Sequence, residues 1–217
     1  MPASTPTILA QDQRFVVLDK PAGLPCHPSR AGGPSVEDWF PLLSRRRDGP
    51  WLAHRLDRDT AGCLVVALRK AALLAAQAAF AGGQARKLYW AVVCGTPAGE
   101  GGVITLPLAR QGGSGGWRMV ADPAGQDAVT EWQVLGRAPG RAWLALRPRT
   151  GRTHQIRAHC AALGWPLLGD PVYGTGAGEA GLQLLAREIA LPLDPPLAAE
   201  APVPAHMQAA LRACGFA

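Results

Sequence analysis

A chain of 217 residues, 48% of them hydrophobic and with mean hydropathy +0.04, has the balance of a globular protein with a proper core, which excludes a disordered or low-complexity chain. The formal charge of +6, with Arg far outnumbering Lys, suits a polyanionic partner that guanidinium groups grip through paired hydrogen bonds, although the base composition of the gene accounts for the Arg excess equally well. Cysteines at 26, 63, 94, 160 and 214 form no Cys-x-x-Cys pair, and neither a run of about 18 apolar residues nor a basic-then-apolar start is present, so disulfide frameworks, zinc ribbons, membrane spans and secretion are not indicated.

The expected form is a reduced, cytoplasmic monomer with one domain over 1–217. In chain order, 14–20 predicts a strand, with Phe15, Val16, Val17 and Leu18 continuously apolar before Pro21 and Gly23 end it. A Pro- and Gly-rich loop follows. A second apolar strand is expected over 62–68, and 70–80, rich in Ala and Leu without Gly or Pro, predicts a helix stopped by Gly82 and Gly83. Further strands are expected over 88–94, 103–106, 117–120, 128–135 and 142–147, read together as an antiparallel meander. Thr153 is the expected N-cap of a short helix over 153–163, which Gly164 ends. A flexible loop over 175–181, a strand over 183–191 and a closing helix over 205–214 complete the reading. Strands interrupted by a few helices, without regular alternation, indicate an α+β fold.

Two polar clusters interrupt this mild pattern. His54-Arg55-Leu56-Asp57-Arg58-Asp59-Thr60 stands immediately before the apolar strand from Cys63, and a carboxylate flanked by Arg55 and Arg58 stays ionised at neutral pH, ready as nucleophile or base. The competing reading is that Asp57 and Asp59 cap a turn and pair with surface arginines. The second cluster, Arg149 to His159, runs from a strand end into the helix start, where amides favour an anion such as phosphate or an aspartate. His154 and His159 are five apart and do not share a helical face, so hydrogen bonding is the better reading than zinc ligation. Walker, nucleophile-elbow and zinc-deaminase motifs are absent.

Four segments, Asp19-Lys20-Pro21-Ala22-Gly23-Leu24-Pro25, HRLDRDTAG at 54–62, Lys87-Leu88-Tyr89-Trp90-Ala91-Val92-Val93-Cys94-Gly95, and GRTHQIRAHCAALGWPLLGD at 151–170 followed by Tyr173-Gly174, resemble in order the RluA-like family of RNA pseudouridine synthases. The resemblance covers about 15–190, and the expected arrangement is a catalytic domain without an S4 module. It implies a central, mostly antiparallel mixed sheet with flanking helices, a catalytic cleft across the sheet, no metal or organic cofactor, and RNA as partner. It further implies that Asp57 is the essential aspartate, that Tyr89 packs on the target base and assists late proton removal, and that Arg152 pairs with the carboxylate. Ile156 matches the apolar residue lining the base pocket, and Arg55 the arginine that helps hold RNA with the target nucleotide everted. His54 and Thr60 match residues that shape the loop, while Lys20 and Lys87, with Arg45, Arg46, Arg47 and Arg86, are candidate phosphate contacts.

Departures from the pattern are Ala61 for a usual serine, Cys26 at a variable position, and Leu184-Leu185-Ala186 where Leu-His-Ala is common. The implied activity is isomerisation of specific uridines in ribosomal or transfer RNA, with the target base flipped out of its stack because its atoms are unreachable inside a helix. Asp57 as nucleophile at C1′ and Asp57 as base on the ribose both remain open. The alternatives are a non-catalytic RNA-binding or assembly factor and a nucleoside or glycoside hydrolase, the latter wanting two carboxyls of different protonation state.

Overall fold

A strand apolar at every position must be covered on both faces, and the two such runs in the first third of the sequence are strands that solvent does not reach. The computed structural model describes residues 5–29, 32–113, 116–174 and 181–217, so the loop expected over 175–181 lies, except for Gly181, outside the described residues. The strands are β1 (Thr7–Gln11), β2 (Phe15–Lys20), β3 (Trp51–Leu52), β4 (Ala61–Ala67), β5 (Arg86–Cys94), β6 (Gly101–Thr105), β7 (Leu108–Gly113), β8 (Gly116–Ala121), β9 (Val129–Ala138), β10 (Arg141–Pro148), β11 (Leu184–Leu191) and β12 (Leu197–Glu200). The helices are α1 (Phe40–Leu43), α2 (Lys70–Ala81), α3 (Gln155–Ala162) and α4 (Ala205–Ala213), with a 3-10 turn at Val36–Trp39. This is an α+β chain. It clusters into two compact units, Met1–Lys87 with Ala186–Pro202, and Leu88–Leu185 with Val203–Ala217.

In the first unit the strand order is β1-β2-β4-β11, with β12 beside β11 and β3 also on β4. All seven residues of β4 are buried, as are Phe15 to Leu18 of β2, and each Val or Leu so covered contributes about 1.5–3 kcal/mol. Helix α2 lays Ala72, Leu73, Ala76 and Ala79 inward, and the three alanines are small enough to let it approach β4 closely. Antiparallel pairing sets Lys20 opposite Gly62 and Phe15 opposite Ala67. The end of β2 and the start of β4 therefore open at one edge, which brings the loop after Lys20 beside the loop that ends at Thr60. Gly62 has φ 105°, a backbone that a residue with a Cβ resists, so the entry to β4 requires glycine.

In the second unit the order is β5-β10-β9-β6, with β7 and β8 forming a separate antiparallel ribbon. This corrects the expected meander. Strand β6 pairs with β9 rather than with the ribbon, because Pro107 and the Asp122–Gly125 turn detach β7 and β8 as a unit of their own. One face carries Ala91, Val93, Leu144 and Leu146 against Ile156 and Cys160 of α3. The next residues in the alternation, Trp90 and Trp143, meet Phe216 in edge-on contacts, and the three rings stand 4.8 to 5.8 Å apart. At Gly136 a Cβ would run into the carbonyl of Cys214, so the end of α4 approaches β9 as closely as glycine permits.

The N-cap of helix α3 falls one residue later than expected. It is His154, in the left-handed region at φ 53°, and Thr153 lies in the preceding turn. The strands β1, β3, β7 and β12 and the short helical turns between Val36 and Leu43 were not expected from the sequence.

Candidate active site

Asp57 is half-buried on the loop between β3 and β4, directly before a turn at Arg58 and Asp59. The segment after β2 grips this loop on both sides of the aspartate. The Cys26 thiol donates to the carbonyl of Leu56 at 3.3 Å and accepts from its N–H at 3.4 Å. The N–H of Gly23 donates to the carbonyl of Arg58, and the Arg58 Nε donates to the carbonyl of Gly23, both at 3.0 Å. The Arg58 Nε also lies 4.0 Å from Asp59, so the side chain expected to flank Asp57 directs this nitrogen elsewhere. Thr60, 2% exposed, donates its N–H to the carbonyl of Asp57 at 3.2 Å and closes the turn.

Lys20 occupies a different place from the phosphate contact expected of it. It is fully buried, and its ammonium donates to the carbonyls of Pro21, Leu24 and Arg58, each at 2.8 Å, which uses all three of its donors. The side chain is a clamp on the aspartate loop. Burial pulls its pKa from the usual 10.5 to about 8, against the opposing pull of Cys26, Asp59 and Asp57. Lys20→Met keeps the bulk and removes the donors, taking this partner from the carbonyls of Pro21 and Leu24, while that of Arg58 keeps the N–H of Gly23. The expected result is a loss of about 2–4 kcal/mol in urea denaturation, on the scale of unpaired buried polar groups, with turnover falling further than RNA affinity. Unchanged stability would show that the loop does not depend on this ammonium.

His54 accepts the N–H of Val65 at its Nε2, 3.1 Å away, and its ring meets Phe80 at 5.0 Å. Burial, with the charge of Lys87, pushes its pKa down to about 4, so the imidazole is neutral at physiological pH and frames the loop. Lys87 is half-buried with its pKa brought to about 8 by burial, and it remains cationic at neutral pH. Arg55 is exposed and borders a cavity of about 390 Å³ together with Phe40, Pro50, Trp51, His54 and Leu73.

Tyr89, Arg152 and Ile156 belong to the second unit. Ile156 is part of its buried core and half-buried Tyr89 packs against that same cluster, so the two contribute to one apolar wall. Arg152 is exposed, with its Nε on the carbonyl of Asp127 at 3.0 Å. Its backbone is fixed from beneath by Gln155, which is 4% exposed and whose Oε1 accepts from the N–H of Arg152 at 2.9 Å and from the Thr150 hydroxyl at 2.7 Å. The amide nitrogen of Gln155 donates to the carbonyl of Val129 and the hydroxyl of Thr130, both at 3.0 Å. Fully buried His159 continues the network, its Nδ1 at 2.9 Å from the Thr130 hydroxyl and its Nε2 at 2.9 Å from the carbonyl of Leu106. Both histidines of this segment hydrogen-bond, and no group of His, Cys, Asp and Glu suited to a metal occurs among the described residues.

Residues 14–162 match the family described as RNA pseudouridylate synthase. The chain belongs to this family. An RNA pseudouridine synthase of Zymomonas mobilis, described as uncharacterized, is 41% identical over 211 residues, covering 94% of this chain and 96% of its own. The ribosomal large subunit pseudouridine synthase D of Pseudomonas aeruginosa is 38% identical over 172 residues, 77% of this chain and 53% of that protein. Among solved structures, human RNA pseudouridylate synthase domain containing 4 matches with a TM-score of 0.81 at 28% identity, covering 96% of this chain and 92% of that one. The chain spans about half the length of several curated relatives, and nearly all of the Zymomonas protein.

As a pseudouridylate synthase the protein is an isomerase acting on RNA, and no helix among the described residues is long and apolar enough to cross a membrane. Two of its departures from the family pattern are packing positions. Leu185, where histidine is common, is fully buried between buried Leu184 and Ala186, and Ala61 is 2% exposed. Sequence reasoning missed the roles of Cys26, Gln155 and Tyr173. The available signal for Gln155 was an uncharged amide inside a helix whose neighbours Ile156 and Cys160 already claimed the core face.

Proposed function

We propose that this pseudouridylate synthase isomerises specific uridines in ribosomal or transfer RNA, acting in the cytoplasm as a monomeric, single-domain catalyst without metal or organic cofactor. Asp57 carries the chemistry. Its carboxylate either attacks C1′ and displaces N1, or removes a ribose proton as the N1–C1′ bond breaks; the uracil turns while trapped, C5 bonds to C1′ as the carboxylate leaves or the ribose proton returns, and C5 then loses its proton, with help from Tyr89, while N1 gains one. Arg152 pairs with the carboxylate, Tyr89 stacks on the everted base above the apolar wall of Ile156, and Arg55 holds the RNA where the target has left its stack. The observation that carries this reading is the half-buried Asp57 within the family match, on a loop gripped from both sides by Cys26 and Lys20. A reacting group needs a fixed approach to a sugar carbon, and such a loop supplies it. The similarity to a ribosomal large subunit synthase makes ribosomal RNA the first substrate to test.

The test is incubation of the purified chain with unmodified ribosomal and transfer RNA transcripts, followed by carbodiimide-dependent primer extension and chromatography of the supernatant. One or a few discrete pseudouridine stops without released uracil is the expected result. Free uracil would indicate a hydrolase, and RNA binding without stops would indicate an assembly factor.

A further inference from the structure

The ribbon β7–β8 carries an arginine laid on a tryptophan. Arg110 and Trp117 share one face, since Arg110 pairs with Met119 and Gly112 with Trp117, and the Arg110 guanidinium carbon stands 4.6 Å from the centre of the Trp117 ring. Residues 108–121 include Arg110 and Arg118 and no Asp or Glu. Trp117 is 41% exposed, which does not suit an indole that had only to fill a core. Its support is His154, whose ring is stacked at 5.1 Å and 16°. Lying there, His154 adopts φ 53°, the one non-glycine left-handed backbone among the described residues. Tyr173 fastens the arrangement, its hydroxyl accepting the N–H of Met119 at 2.8 Å and lying 3.2 Å from the His154 Nδ1.

We propose that the Arg110–Trp117 pair is a docking platform for an unpaired nucleotide flanking the target uridine, a role that rests on the chain isomerising RNA. A planar cation layered on an indole matches the π-face of any base, and the guanidinium edge supplies donors for the adjoining phosphate. A ribbon with two arginines and no carboxylate, on a chain of charge +6, favours a polyanion over a neutral protein surface. The platform stands on the residue two positions after Arg152, so a nucleotide held there lies next to the loop that carries this arginine. Because stacking is indifferent to base identity, the platform adds grip rather than sequence readout.

The test measures the affinity of the full chain for a fluorescein-labelled oligouridylate dodecamer by anisotropy, using wild type, Arg110→Ala, Arg110→Lys, Trp117→Ala and Trp117→Phe. The two alanine variants are expected to bind about 10-fold more weakly, the scale of one lost base–aromatic stack, while Arg110→Lys and Trp117→Phe recover part of that loss. On an RNA that wild type isomerises, KM rises by a similar factor while kcat stays within about twofold. Arg110 is exposed, so its replacement leaves folding intact if Trp117→Ala disturbs it. Wild-type affinity in Arg110→Ala, or a defect confined to kcat, overturns the platform. If wild type forms no pseudouridine yet the alanine variants bind more weakly, the catalytic reading falls and the platform stands. If wild type isomerises RNA and the variants bind as it does, the reverse holds.

Discussion

Asp57→Ala and Asp57→Asn are expected to eliminate pseudouridine formation, lowering the rate by more than about 10⁴-fold, while leaving the protein folded and able to bind RNA. The magnitude follows from the proposed chemistry, since a reaction that depends on one carboxylate has no second group to take its place, and loss of a sole nucleophile or base acts on this scale. Asp59, two residues on, stands in the turn with Arg58 and does not replace it. The fold survives because the turn is closed through the backbone of Asp57, whose carbonyl accepts from Thr60, and because the loop is held at Leu56 and Arg58 by Cys26 and Lys20. Asn is the stricter variant, keeping shape and polarity and losing only the charge. Measured by carbodiimide-dependent primer extension on RNA incubated with each protein, either variant retaining a tenth of wild-type conversion would remove Asp57 from the chemistry. Unchanged urea midpoints in the same preparations separate a lost reaction from a lost fold.

What the sequence disclosed and what it hid follow from where each residue finds its partners. Strand β4 and helix α2 were readable because burial on both faces demands a continuous apolar run, and because twelve residues without Gly or Pro leave little besides a helix. Strand β7, with the sequence LARQGG, has no β-branched residue, and its extended form comes from pairing with β8. Strand β12, with the sequence LAAE, likewise owes its form to β11. Asp57 stood out as a carboxylate in a polar cluster at a strand mouth. Lys20 looked like a surface cation for the same reason that any lysine does, and only three carbonyls from two separate segments, converging on one point, reveal it as a buried clamp. Thr153 had the chemistry of an N-cap, yet the helix begins after His154, whose ring stacks on Trp117 while Gln155 reaches back to the N–H of Arg152 and holds the turn.

Arg157→Met lowers stability by about 3–5 kcal/mol, because it strands a buried carboxylate. The guanidinium of Arg157 meets Asp170 through two hydrogen bonds of 2.8 Å, with the side chains 4% and 0% exposed. Asp170 also accepts the N–H groups of Val172 at 2.9 Å and Tyr173 at 3.1 Å, and the ring of Tyr173 lies under the guanidinium at 5.3 Å. Burial by itself raises the pKa of this carboxyl, but the hydrogen bonds and charge of Arg157, with the two amides, outweigh it and hold the group below the usual carboxylate value of 3.8. A depressed folded pKa contributes stability that is complete above the unfolded value and is lost as pH falls through the folded one. In Arg157→Met the sign reverses, since burial without the guanidinium raises the carboxyl, and the penalty of the anion is relieved as pH falls and the group protonates. The stability gap between wild type and variant, measured by urea denaturation, is therefore largest near pH 7 and narrows towards about pH 4. A gap that is constant over this interval would mean that the loss comes from packing of the arginine stem rather than from its charge. Asp170→Asn in the same background tests the electrostatic account directly: it recovers part of the loss at neutral pH, since an amide at this position removes the stranded charge while its oxygen still accepts from the backbone of Val172 and Tyr173.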